Sequence, residues 1–165
     1  LDGFEVFAVF DVRRATLDPG CFLAGAFQLA VEHRDRPVDG RLGFHPGFGL
    51  TVTLPEVIGK NNAALMFYTS RRVTGEEAHK MGLANVLVPQ DQVRAEAFKL
   101  AQEIAENSPL GLMSTRATLR AGLADRVKAQ TDHELAEQTW LRETEDHKEG
   151  IKATEERRAA NFKGR

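Results

Sequence analysis

The pattern of apolar and polar positions divides the chain into two halves of different character. Residues 1–59 contain most of the phenylalanines, many glycines and several short apolar runs. Two of these runs, 4–10 and 12–17, have the length and composition of β-strands. A longer apolar run at 20–31 opens with small residues and predicts a turn followed by a buried helix, and a later segment ends near Pro55. The first half therefore predicts a mixture of strands and helices.

Helical spacing dominates from about residue 61 onward. The pattern predicts a helix over 61–68, and then a short helix that begins at Thr74 and ends at Gly82. Thr74 and Glu77 have the spacing of a capping box. Residues 86–89 predict a short strand. A further helix is predicted by apolar residues that recur at helical spacing, namely Val93, Ala97, Leu100, Ala101 and Ile104.

The last third of the chain predicts three more helices. Ser108 followed by proline is a typical helix start, and Gly122 is a plausible end for that helix. A long polar helix should follow through Trp140. Asp146 and Glu149 suggest a capping pair for a final helix. Alternating strands and helices followed by an all-helical tail indicate an α/β core with a helical appendage.

Composition excludes several classes of function. The 22 basic and 24 acidic residues nearly cancel, so a nucleic-acid or anionic membrane partner is not expected. One cysteine cannot form an intrachain disulfide, and no apolar run reaches membrane-spanning length. These features predict a cytoplasmic protein. The five histidines lack paired spacing, so no metal site is expected.

Two glycine-bearing segments could contain chemistry. In the first, the small residues 24–26 open an apolar helix, where backbone N–H groups could approach a ligand and stabilise negative charge. Tight helix packing is the alternative explanation. In the second, Asp39 precedes a loop at 42–49. If buried, this carboxylate would suit a proton shuttle, whereas on an exposed turn it would bond only to its own backbone.

The order of these segments resembles the enoyl-CoA hydratase/isomerase (crotonase) family. The similarity covers nearly everything after Gly20. The matching segments are the triplet at 24–26, the carboxylate at 39 with LGFHPGFG at 42–49, YTSRRVTGEEA at 68–78, MGLANVLVP at 81–89, NSPL at 107–110 and the closing residues 145–165.

The resemblance implies a fold and an assembly. It implies an α/β, crotonase-like ββα spiral core at 1–106 and a C-terminal helical trimerisation region at 107–165. A homotrimer or hexamer is the expected assembly. Family elements also stand unusually close together near 19/20 and 31–37, so core segments are expected to be missing there. Either they are truly deleted, or the flanking segments are not covalent neighbours; the second explanation is preferred and predicts a break in the chain at both places.

The resemblance also assigns roles to residues. It implies that the Gly25 N–H group lies in an oxyanion hole that stabilises a thioester enolate. Gln28 occupies the position of the first catalytic glutamate and Asp39 that of the second. The implied substrate-binding residues are Ala24, Ala26, Pro46, Gly47 and Phe48.

The implied function is hydration or double-bond isomerisation of an enoyl-CoA. Coenzyme A enters as part of the acyl-CoA substrate, and no separate cofactor is expected. Gln28 departs from the family pattern because an amide orients water but cannot accept its proton. The alternative is therefore a catalytically inactive CoA-binding homologue. A third reading, an unrelated helical interaction module, requires the matches at 20–49 to be accidental.

Overall fold

The computed structural model describes residues 39–165, which are predominantly helical. A short 3-10 helix, Asp39–Leu42, comes first, and a second one spans Gln90–Gln92. The α-helices are α1 (Leu50–Thr69), α2 (Gly75–Lys80), α3 (Val93–Ala105), α4 (Pro109–Leu119), α5 (Leu123–Leu141) and α6 (Glu145–Glu155).

The described residues belong to two compact units. One contains residues 73–121, with helices α2, α3 and α4. The other combines 39–72 with 122–165, so that α1 is joined by α5 and α6 from much later in the chain. The predicted boundary between residues 106 and 107 stays a prediction.

The run α1 consists of two helical segments that meet at Gly59. The predicted helix over 61–68 is confirmed as the second of these segments. The expected end near Pro55 is wrong, because the helix continues through that proline. Proline has a helix-compatible φ and removes only one hydrogen-bond donor, whereas Gly59 has φ 77° and ψ 155°, which lie outside the helical region.

Two predicted helix starts are confirmed. The Thr74 hydroxyl accepts from the Glu77 N–H at 3.3 Å, and the Glu77 carboxylate accepts from the Thr74 N–H at 2.9 Å. The Ser108 hydroxyl likewise accepts from the Gly111 N–H. The helix after Ser108 ends at Leu119, and Gly122, with φ 70°, stands directly before α5.

The predicted cap of the final helix is wrong. Thr144 caps α6, accepting a hydrogen bond from the His147 N–H at 3.1 Å. The Asp146 carboxylate instead accepts from the backbone N–H groups of Lys163 and Gly164, at 2.6 and 2.8 Å. Asp146 therefore binds the C-terminal tail rather than its own helix. Spacing within the helix could not reveal this contact, because the donors lie far along the chain.

The predicted strand at 86–89 is reduced to a single bridge residue, Leu87. Pro89 has no N–H to donate to a strand ladder, which limits pairing at that end. The strands predicted at 4–10 and 12–17, and the helix at 20–31, lie outside the described residues. The predicted breaks near 19/20 and 31–37 also lie there, so the ββα spiral and these breaks stay predictions.

Each unit buries a small set of apolar side chains. The α3 stripe predicted from the sequence faces inward, with Val93 buried and its other members half-buried. In the other unit, Ile58, Ala63 and Ala153 are buried. Among the helices described here, none has the length and apolar character needed to cross a membrane.

Candidate functional site

The structure places part of the predicted site in the unit formed by α1, α5 and α6. The backbone of Asp39 begins the first 3-10 helix. Its side chain, and the whole of Ala24, Gly25, Ala26 and Gln28, lie outside what the structure describes. Three predicted substrate-binding residues lie together in the loop before α1: Pro46, Gly47 and Phe48. The predicted site roles stay predictions.

Close backbone contacts define the position of the 3-10 helix that begins at Asp39. Gly150 of α6 lies against Leu42, so closely that an added Cβ would come within 2.6 Å of the Leu42 carbonyl carbon. The His147 ring donates from Nδ1 to the Leu42 carbonyl at 2.9 Å. On another side, a Cβ on Gly40 would stand 2.7 Å from the Ser70 hydroxyl. Helices α1 and α6 thus set the backbone on which the predicted acid/base stands.

The loop continues along α6 through an aromatic contact. The Phe44 ring stacks on His147 with centroids 5.0 Å apart and an interplanar angle of 27°. The Arg142 guanidinium lies 5.3 Å from the centre of the Phe44 ring. A cation over an aromatic face contributes about 0.5–1 kcal/mol at exposed sites. These contacts hold the beginning of the loop against the junction of α5 and α6.

His45 is half-buried and directed at protein groups. Its Nδ1 donates to the Pro46 carbonyl at 2.7 Å, and its ring lies edge-on to His133 with centroids 6.4 Å apart. A histidine with these contacts is a packed loop residue.

Two glycines allow the loop to approach α5. A Cβ on Gly47 would stand 2.6 Å from the amide nitrogen of Gln138. A Cβ on Gly49 would stand 2.7 Å from Cγ1 of Val127, and Gly49 also has φ 72°. Both the close approach and the left-handed backbone favour glycine at position 49.

A buried carboxylate on α5 receives hydrogen bonds from this loop. Glu134 is only 1% exposed. Its Oε2 accepts from the Gly49 N–H at 2.7 Å, and its Oε1 accepts from the Thr51 N–H at 3.1 Å and from the Thr51 hydroxyl at 2.5 Å. The first N–H groups of a helix lack partners within the helix and favour a nearby anion. Glu134 therefore caps α1 from another helix, since Gly49 has no side chain to do so.

The contacts of α5 with the loop come from one face of the helix. Residues 127, 131, 134 and 138 repeat at intervals of four, three and four, which places them in one stripe. Gln138 adds a hydrogen bond from its amide nitrogen to the His45 carbonyl at 2.9 Å. Sequence reasoning missed Glu134 and Gln138, although this spacing on a polar helix was the available signal.

Phe48 stands at the exposed tip of the loop. Its side chain is 98% exposed, and its backbone has φ 61°, in the left-handed region. A non-glycine residue held there costs about 1–3 kcal/mol, and such residues cluster at ligand-binding sites. The loop thus presents a strained aromatic residue whose ring is left to solvent.

A cluster of charged side chains joins α6 to the C-terminal tail. Arg158 forms a two-bond ion pair with Glu149, at 2.5 and 2.9 Å, and the Asn161 N–H donates to the same carboxylate at 2.8 Å. The Arg158 hydrogen bond and then that of Asn161 lower the pKa of Glu149 to about 2. This cluster lines an open depression, but its carboxylates already have partners in the tail. Within residues 39–165, no group of three acidic, histidine or cysteine side chains is placed to hold a metal ion.

The loop lies within a segment that matches a known protein family. The sequence model for enoyl-CoA hydratase/isomerase matches residues 38–165, which is more than half of the chain. The chain belongs to the enoyl-CoA hydratase/isomerase family. The resemblance deduced from the motifs is thereby confirmed.

Named relatives and solved structures agree with this family membership. The chain is 35% identical to the 2,3-dehydroadipyl-CoA hydratase of Escherichia coli K12, over 100% of this chain and 66% of that protein. It is 30% identical to the crotonyl-CoA hydratase of Syntrophomonas wolfei, over 98% of this chain and 64% of that protein. It therefore spans slightly less than two thirds of the length of each.

Solved structures of this family show the same fold. The carnitinyl-CoA hydratase of Mycobacterium avium is similar with a TM-score of 0.70 and 27% identity, over 76% of this chain and 49% of that one. The enoyl-CoA hydratase/isomerase of Pseudoalteromonas atlantica gives 0.69 and 24% identity, over 78% and 52%. The crotonase-like fold is thus established for the matched part of this enoyl-CoA hydratase/isomerase family member.

Proposed function

We propose that this protein acts on acyl-CoA thioesters and hydrates or isomerises an enoyl-CoA. The observation that carries the proposal is the family match over residues 38–165, which includes Asp39 and the whole loop that follows it. The two relatives described above are named as hydratases of CoA thioesters. No cofactor beyond the coenzyme A of the substrate is required.

In the proposed mechanism the thioester carbonyl becomes an enolate, whose oxygen accepts a hydrogen bond from the Gly25 N–H. A preorganised donor of this kind lowers the barrier by about 3 kcal/mol. For isomerisation, Asp39 removes a proton from one carbon of the enoyl group and returns it to another. For hydration, Gln28 orients a water molecule whose oxygen adds to the β-carbon, and Asp39 accepts the proton that the water loses and delivers a proton to the α-carbon.

Isomerisation is the simpler reaction for these residues. One carboxylate is sufficient to move a proton between two carbons, whereas the hydratases of the family manage water with two glutamates. Ala24 and Ala26, with the loop at 46–48, would contact the thioester. Two features support a binding role for the loop: hydrogen bonds to Glu134 and Gln138 hold its backbone, and Phe48 is exposed.

The second candidate function is a catalytically inactive CoA-binding homologue. Gln28 favours it, because an amide at the first carboxylate position cannot act as a general base. The two candidates predict the same ligand and differ in turnover.

An absorbance assay with crotonyl-CoA and a 3-enoyl-CoA separates these candidates. Hydration removes the double bond conjugated to the thioester, and isomerisation creates it, so absorbance changes in opposite directions. Turnover of either substrate supports the enzyme. Calorimetric binding of crotonyl-CoA without turnover supports the inactive homologue, whereas absence of both binding and turnover would contradict both candidates.

A homotrimer or hexamer in the cytoplasm is also proposed. The large apolar side chains of α4 support an assembly, since Leu110 and Leu119 are 78% and 81% exposed. Trp140 of α5 is also exposed in the single chain. Light scattering should give the mass of three or six chains, and a monodisperse monomer would contradict this assembly.

A further inference from the structure

We infer that Glu134 is a positioning residue for substrate binding, which it controls by fixing the loop that presents Phe48. The inference rests on the proposed function for the identity of the ligand. The role of Glu134 in shaping the loop does not, because it follows from contacts within the chain. Glu134 itself is buried beneath the loop and is not expected to touch the substrate.

The chemistry of the Glu134 contacts favours a carboxylate over any other side chain. Its two oxygens meet three donors, from the backbone of Gly49 and from the backbone and hydroxyl of Thr51. A glutamine would keep one oxygen, and either orientation of its amide would place the NH2 group against a backbone N–H, of Gly49 or of Thr51, that also donates. Burying a carboxylate is unfavourable unless such donors surround it, so its placement here indicates a specific structural requirement.

The loop is fixed on both sides of Phe48. Before it, the His45 carbonyl accepts from Gln138, and after it, the Gly49 N–H donates to Glu134. Phe48 lies between these two contacts with a left-handed backbone. Phe48 is 98% exposed, so packing among residues 39–165 compensates neither the backbone strain nor the exposed apolar surface.

Helix capping alone does not explain why the loop is held on both sides of Phe48. A cap for α1 would need only the bonds to Gly49 and Thr51. The additional Gln138 bond, and the close approach of Gly47 to the same side chain, restrict the residues that precede Phe48. The geometry points to a rigid aromatic surface against which an apolar part of the thioester substrate packs.

The test compares Glu134→Gln with Glu137→Gln, the same chemical change one turn away. Glu137 accepts a hydrogen bond from Trp140 on its own helix and makes no bond to the loop among the described contacts. With the thioester that the wild-type chain turns over, Glu134→Gln should raise KM about tenfold and change kcat less than about threefold, because binding geometry is lost while the reacting groups remain. Glu137→Gln should change neither, and equal effects of both variants would overturn the inference.

A double variant tests whether Glu134 acts through Phe48. Phe48→Ala alone should raise KM by a similar factor, and combining it with Glu134→Gln should add little, because the second change removes support for a ring already absent. If the KM increases of the two single variants instead multiply in the double variant, Glu134 does not act through Phe48, and this part of the inference is overturned. If Glu134→Gln does not fold, Thr51→Val removes one donor from the same network and should raise KM about threefold.

Amide hydrogen exchange separates failure of this inference from failure of the proposed function. In Glu134→Gln, the Gly49 and Thr51 amides should exchange faster, while those of α4 keep the wild-type rate. Unchanged exchange at Gly49 and Thr51 would overturn the positioning role even if the protein is an active enzyme. Faster exchange in a protein that neither binds nor converts a CoA thioester would retain the loop role, and would overturn the proposed function together with the substrate that it assigns.

Discussion

Gly150 of α6 lies so close to Leu42 that no side chain fits between the two backbones. A Cβ on Gly150 would stand 2.6 Å from the Leu42 carbonyl carbon and 2.7 Å from its oxygen. Backbone atoms cannot rotate away as a flexible side chain would, so the helix and the 3-10 turn must separate to admit even a methyl group. This contact links α6 to the segment that begins at Asp39.

The Gly150→Ala change should therefore destabilise the protein. Overpacking of this kind typically costs about 1–3 kcal/mol, and the loss is measured by urea unfolding. Gly111→Ala is the matched control, since a Cβ there would meet Ser108 at an ordinary 3.6 Å inside α4. The control should be neutral or stabilise by up to about 1 kcal/mol. Equal destabilisation by both changes would show that the contact with Leu42 does not matter.

Asp39→Asn should reduce turnover about 100-fold or more if this residue transfers the proton. General acid–base catalysis typically supplies 10²–10⁴ in rate, and asparagine cannot accept a proton. Binding of crotonyl-CoA, measured by calorimetry, should stay nearly unchanged. Asp91→Asn, on an exposed residue of the other compact unit, serves as the control. Full turnover by Asp39→Asn would contradict the catalytic role and favour the alternative, in which Asp39 is a turn residue that bonds to its own backbone.

Gln28→Glu should increase the hydration of crotonyl-CoA relative to isomerisation of a 3-enoyl-CoA. The change restores a second carboxylate at the position where the family resemblance expects one, and a carboxylate accepts a proton from water. Both reactions are followed by absorbance in the same preparation. An unchanged ratio of the two rates would argue against a role for residue 28 in handling water.

Thr144→Ala should destabilise α6 by about 1 kcal/mol because it removes the hydroxyl that caps the helix. Thr118→Ala is the control, since Thr118 is exposed and its hydroxyl donates to the Ser114 carbonyl within its own helix, α4. That change should stay within about 0.5 kcal/mol of the wild-type free energy of unfolding. Thermal and urea unfolding provide the measurement, and a neutral Thr144→Ala would contradict the assignment of the cap.

The Glu149–Arg158 pair should stabilise the protein at neutral pH and cease to do so in acid. The folded-state pKa of Glu149, about 2, lies below the ordinary value of 4.5. The stabilisation is therefore fully present above 4.5 and is lost as the pH falls from 4.5 through about 2. The difference in urea midpoint between wild type and Glu149→Gln should stay constant from pH 7 to near 4.5 and then shrink.

Glu103→Gln, an exposed carboxylate on α3, is the control for this pH series. It should not reproduce the acid-dependent difference. A wild-type advantage over Glu149→Gln that persists unchanged at pH 2 would contradict the lowered pKa.

Local sequence determined the helices whose signals lie within one turn. Thr74 and Glu77 specify their capping box because the hydroxyl and the carboxylate reach N–H groups three residues away. The α3 stripe faces inward because apolar residues at helical spacing share one side of the helix. The ordered motifs from 38 to 165 likewise identified the family, because each depends on residues close in sequence.

Only the tertiary structure decided how distant segments use their polar groups. Asp146 looked like a capping residue by spacing, but it accepts hydrogen bonds from Lys163 and Gly164, seventeen and eighteen positions later. Glu134 had no local partner to reveal its role, since its donors at Gly49 and Thr51 lie more than eighty positions earlier. A carboxylate accepts a hydrogen bond from any well-placed N–H. Its position in the sequence therefore predicts only the hydrogen bonds that it could make within its own helix. Which donor it meets is decided when α5 packs against the loop.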